Sequence, residues 1–177
     1  MEKEKIIDCH SHIGNDYFWN ESNIDEYLNI LTKQNIDMGL LMPVPGQTFI
    51  NNSSKRYFIW KMNTNGEMEY LTDDNVDILQ NPYTKVNEYT AQIILNKETE
   101  KELAFIPLIH PLLDTPEYIL SLVNKYRPLA LKIHGVAAGI GPGDISNEMI
   151  TLLKQINLPI ITHTDYCKKP HKSSPSP

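Results

Sequence analysis

The stretch Ile6-Ile7-Asp8-Cys9-His10-Ser11-His12 decides the fold expected of this chain. A short apolar run opens it and polar, metal-binding side chains close it. That is the pattern of a buried strand whose C-terminal end reaches a site. Side chains on a strand alternate between faces. His10 and His12 are therefore expected to point one way, with Asp8 one step below them, and Cys9 and Ser11 the other.

Outward from this strand, apolar runs alternate with amphipathic segments. Ile24, Tyr27, Leu28 and Leu31 recur at helical spacing and predict a helix from about Asn23 to Gln34. Ser22 or Asn23 can cap it, and Asp25 and Glu26 fall in its first turn, where the dipole favours carboxylates. A second strand is expected over Ile36–Met42, stopped by Pro43 and Pro45. Residues 47–86 interrupt the rhythm. Within them, residues 57–62 and 67–71 flank Asn65-Gly66, which suits the turn of a hairpin.

A helix over Val86–Lys97 leads to a third strand, Leu103–His110. The next helix begins at Asp114 or Thr115, with Pro116 in its first turn and Glu117 closing a capping box. Its expected apolar face is Ile119, Leu120, Val123 and Tyr126. The fourth strand is Leu129–Gly135. A Gly/Pro-rich loop then leads to a helix over Ser146–Ile156, with Met149, Ile150, Leu153 and Ile156 as its stripe. The fifth strand is Pro159–Asp165. Alternating strands and helices predict a parallel sheet with helical crossovers.

Composition sets the bounds. The chain has 177 residues, is 41% hydrophobic and carries a formal net charge of −6. Length predicts one domain, and the negative charge argues against nucleic acid or a polybasic membrane surface as partner. Two cysteines, Cys9 and Cys167, are too few for a disulfide framework. The start is charged and the apolar run after it is only Ile6-Ile7, so no signal peptide is expected. No run reaches the ~18 apolar residues of a membrane span. These features predict a reducing, cytoplasmic compartment.

Five of the six histidines, His10, His12, His110, His134 and His163, fall at the ends of expected strands. In parallel α/β proteins that edge is where ligands bind. Two imidazoles at i and i+2 can reach one ion from one side, and His163 can supply a third nitrogen. Neutral imidazoles suit zinc and its first-row neighbours, such as manganese. His10, His12 and His163 are thus the candidate metal ligands. Lys132, His134 and Asp165 are the candidate catalytic residues. A buried strand lysine is costly unless it meets a charge or a ligand. His110 is expected to be a satisfied structural histidine.

These residues resemble the amidohydrolase superfamily of metal-dependent hydrolases, and more narrowly its amidohydrolase-related branch, which includes decarboxylases. The matching motifs are Ile6–His12, then Leu131-Lys132-Ile133-His134, then Leu158–Asp165. The resemblance implies a (β/α)8 barrel of TIM type, with a divalent metal on His10 and His12 at its C-terminal mouth. It implies that His163 is a ligand or a neighbour of the metal. Lys132 takes the position of a lysine that some members use to bridge two metals, and His134 would line the substrate pocket. The implied activity is attack of metal-activated water on a C–N or C–O bond of a small organic substrate.

Each βα unit needs ~30 residues, and too few follow His163 for three more. The sequence thus predicts a partial barrel of about five βα units over residues 1–166. Residues 47–86 form its inserted hairpin region and residues 167–177 a disordered tail. An open sheet exposes its edges, so self-association or a partner chain is expected to cover them, and hydrolysis to be impaired. The related decarboxylase, a non-catalytic remnant and one half of a split barrel stay open beside the hydrolase.

Overall fold

The computed structural model describes residues 4–15, 21–44, 60–62, 68–70, 80–135 and 140–163. In chain order these form β1 (Ile7–Asn15), β2 (Glu21–Ser22), α1 (Ile24–Lys33), β3 (Met38–Pro43), β4 (Trp60–Met62) and β5 (Met68–Tyr70). There follow α2 (Thr84–Leu95), β6 (Glu102–Phe105), β7 (Leu108–Ile109), α3 (Pro116–Tyr126), β8 (Leu131–His134), α4 (Asn147–Ile156) and β9 (Ile160–His163). Asp165 and the expected tail, 167–177, lie outside the described residues.

Local chemistry explains the helices. Asn23 Oδ1 accepts the Asp25 amide at 2.8 Å and starts α1. Thr115 Oγ1 accepts the Tyr118 amide at the start of α3, so Thr115 is the cap and Glu117 closes no capping box there. Ser146 Oγ does the same for Met149 on α4. Asn157, at φ 55°, ends α4 in the left-handed conformation that Asn tolerates. The buried stripes differ by one position from the expected ones. Leu122 and Leu152 are buried, whereas Leu120 and Ile150 face outward.

The architecture corrects the expectation of a partial (β/α)8 TIM-type barrel with about five βα units. The described residues form two three-stranded parallel sheets, β1-β3-β6 and β7-β8-β9, with four α-helices. A short β2 lies antiparallel on β1, and β4 pairs antiparallel with β5. The expected single strand Leu103–His110 is two strands. Ile106 N still donates to Leu41 O on β3, and Pro107 O accepts from Lys132 N on β8, both at 2.9 Å. Pro107 has no N–H of its own to give. Beyond it, the Asn87 carboxamide of α2 takes the main-chain edge of Leu108. Its Nδ2 donates to Leu108 O at 2.8 Å, and its Oδ1 accepts from Leu108 N at 2.9 Å. A buried side chain thus stands where a neighbouring strand's backbone would continue the ladder, and one sheet becomes two.

Each sheet has its own core. Ile13, Tyr27, Leu31, Leu41, Ala91, Ile94 and Phe105 join the first sheet to α1 and α2. Ile109, Ile119, Leu122, Leu131, Ile133, Met149 and Leu152 join the second to α3 and α4. Burial of such side chains removes apolar area from water and stabilises each layer. On the opposite face Met42, Ile106 and Ala130 pack together, with Leu40 and Ile161 against them. This inner face, away from the helices, carries the histidines. Among the described residues no helix is long and apolar enough to cross a membrane.

Candidate metal site on the inner face

The site begins with an irregularity in β1. Asp8 pairs with Gly39, but Ser11 pairs with Leu41, so Cys9 and His10 oppose the single residue Leu40. This is a β-bulge, and it shifts the alternation of faces. Asp8 therefore does not lie below the histidines, as simple alternation predicts. It faces α1, where Oδ2 accepts from Tyr27 Oη at 2.7 Å and Ser11 Oγ at 2.6 Å. Its Oδ1 accepts the His10 amide at 3.2 Å. Burial pushes the Asp8 pKa up. The bonds from Ser11, Tyr27 and the His10 amide outweigh it and hold the carboxyl below its usual range.

Beyond the bulge His10 and His12 face inward, and their Nε2 atoms are 3.1 Å apart. The rings meet edge-on, centroids 5.0 Å apart. His12 Nδ1 lies 2.9 Å from the Pro43 carbonyl oxygen, which can only accept, so Nδ1 carries the proton. His12 Nε2 is then an unprotonated lone pair. Lys132 Nζ lies 3.3 Å from His10 Nε2. Where the ammonium donates there, His10 Nε2 is also a lone pair. The 3.1 Å separation suits an N–H···N bond with His10 Nε2 as donor, and it equally suits one cation shared by both lone pairs.

Two nitrogens at ~2.0–2.1 Å from one tetrahedral zinc stand about 3.3 Å apart. The observed 3.1 Å fits this, and the Pro43 carbonyl supplies the orienting contact usual behind a ligating histidine. The pair therefore fits two positions of a divalent metal site. Among the described residues no three His, Cys, Asp or Glu side chains gather closely enough to hold one ion. His163, the expected third ligand, instead stacks on His134, with centroids 4.2 Å apart and planes 10° from parallel. The register His134↔His163 places the two side by side on β8 and β9.

Electrostatics couple the members of the cluster, each cationic form disfavouring the others. Burial is the largest cause lowering His10, with the charges of Lys132 and His163 adding to it and Asp8 opposing. Burial also lowers His12 most, against the Pro43 bond, which raises it. His134 is pushed down to about 3 by burial and then by His163, Lys132 and His12. These rings are neutral at pH 7, the form that ligates metals. Lys132 is fully buried, and burial lowers it too.

The fold thus gathers His10, His12, Lys132, His134 and His163, while Asp165 falls outside the described residues. His110 is turned into its own loop. It is buried, its Nδ1 accepts from the Leu112 amide at 3.3 Å, and its amide donates to Asp114 Oδ2 at 2.8 Å. Sequence reasoning missed Tyr27, Ser11 and the Pro43 carbonyl as supports of the histidine pair. A tyrosine on the buried stripe of α1 and a glycine opposite Asp8 were the available signals. A Cβ on Gly39 would stand 2.3 Å from Tyr27 Oη, so only glycine there leaves room for the Tyr27–Asp8 bond.

No family model, curated protein or solved structure matches this chain.

Proposed function

We propose that this chain is a metal-dependent hydrolase of a small organic substrate, with His10 and His12 holding a divalent ion, zinc before manganese or another first-row metal. The convergence of two Nε2 atoms at 3.1 Å, with the His12 tautomer set by Pro43, carries the proposal. The motifs of β1, β8 and β9 support hydrolysis of a C–N or C–O bond. A metal held there supplies Lewis-acid polarisation of a carbonyl and an acidified water. The chain's own residues do the rest. The Pro43 carbonyl keeps His12 Nε2 free of a proton. His134, pushed down to about 3 by burial, stays a neutral ring across the working pH range and carries no charge into the site. Lys132 contributes a buried donor beside His10. Asp165 follows His163 by two residues and is the candidate carboxylate base.

A second reading is favoured by one observation, the lack of a third ligand on the pair among the described residues. In it the chain binds metal and does not turn over substrate. One experiment separates them. The chelator-treated chain is assayed with and without added zinc on a panel of amides, esters and lactones, beside a His10→Ala/His12→Ala variant. The hydrolase reading expects turnover that zinc restores in the parent and not in the variant. Stoichiometric zinc without turnover favours the second reading. Turnover independent of zinc contradicts both.

A further inference from the structure

Among the described residues Lys132 is an ammonium with no counter-charge. The residue is fully buried, although lysine is almost never so unless paired. Its hydrogen-bond partner is an imidazole, His10 Nε2 at 3.3 Å. Asp8, the acidic side chain that acts on His10, cannot serve Lys132. Both its oxygens are engaged on the α1 side by Tyr27, Ser11 and the His10 amide. The other groups that interact with this cluster, His12, His134 and His163, are imidazoles and bring no negative charge. Among the described residues no carboxylate pairs with Lys132.

Burying an uncompensated charge costs several kcal/mol, so a ligand that brings a negative charge to Lys132 recovers part of that cost. We propose that Lys132 anchors a carboxylate carried by the substrate. One fixed positive charge calls for one negative charge, which a carboxylate supplies and a phosphate dianion exceeds. His10 is exposed and its Nε2 stands 3.3 Å from the ammonium, which makes it the surface neighbour of the proposed anchor. This deepens the proposed function and rests on it for the reacting end of the substrate: an amide, ester or lactone that also bears a free carboxylate.

The test uses the full chain, chelator-treated, with benzoate and its neutral analogue benzamide as probes in calorimetry. His10 ring shifts in NMR report entry at the site. Benzoate is expected to bind about tenfold or more tightly than benzamide, the worth of one charged hydrogen bond. Lys132→Met, close to the same shape without the charge, is expected to lose that preference. Equal binding of benzoate and benzamide by the parent overturns the proposal and needs no variant to fold. Equal benzoate binding by parent and Lys132→Met overturns it as well. Benzoate binding that appears only with zinc loaded, and vanishes in the His10→Ala/His12→Ala variant, assigns the carboxylate to the metal and overturns the role of Lys132. Charge-dependent benzoate binding by a chain that takes up no zinc leaves Lys132 its role and removes the metal centre.

Discussion

Tyr27 Oη donates to Asp8 Oδ2 at 2.7 Å, from α1 to the strand residue just before the β-bulge. With Ser11 it draws Asp8 away from the inner face and leaves that face to His10 and His12. The bond supports the bulge, and the bulge aims the histidines.

Tyr27→Phe removes this donor and leaves the ring in place. A hydrogen bond to a charged group is worth about 1.5–3 kcal/mol, and that loss is expected in urea denaturation. Removal of support behind a metal ligand typically weakens affinity 10–100-fold, so zinc titration should show a loss of about that size. Gly39→Ala attacks the same bond from the other strand, because its Cβ would meet Tyr27 Oη at 2.3 Å. Overpacking of this kind costs about 1–3 kcal/mol. The two changes should be less than additive in a double-mutant cycle, and full additivity would show that they act separately.

Asn87 is buried and bonded to both main-chain groups of Leu108. Asn87→Leu keeps the volume and leaves a buried N–H and a buried C=O without partners. Each costs about 1–3 kcal/mol, so a loss of about 2–6 kcal/mol is expected in equilibrium unfolding. A loss under about 1 kcal/mol would mean that the Leu108 edge finds other partners.

Asp114 gives a pH signature. Burial raises its pKa to about 7, against the His110 amide bond that lowers it. Between the unfolded value near 3.8 and about 7 the folded chain holds the extra proton. Its contribution is therefore full below that unfolded value and is lost as pH rises through about 7. The amount is at most about 4 kcal/mol. Asp114→Asn removes the titration, so the difference in stability between parent and variant should change from pH 5 to pH 8, with the parent losing ground. A pH-independent difference would place the Asp114 pKa near its ordinary value.

The amphipathic helices were legible because spacing and caps act locally. Asn23, Thr115 and Ser146 cap their helices through their own side chains. The gathering of His10, Lys132, His134 and His163 on one edge was legible from strand ends. The faces were not. A bulge at Cys9-His10 changes parity without any glycine or proline to announce it, and so Asp8 was placed on the wrong side. The division into two sheets was hidden for a similar reason. Pro107 signals a break, but the substitution of Asn87 for a strand depends on a contact 21 residues away in sequence. His163 stacks on His134 because β8 and β9 are in register, a relation that neither strand encodes alone.

Zinc-edge X-ray absorption on the chain loaded with one equivalent of zinc decides whether His10 and His12 hold one divalent ion through Nε2. Two imidazole nitrogens are expected at about 2.0–2.1 Å, lost in His10→Ala/His12→Ala. Zinc surrounded by oxygen alone, or the same spectrum from the double variant, would contradict ligation by this pair.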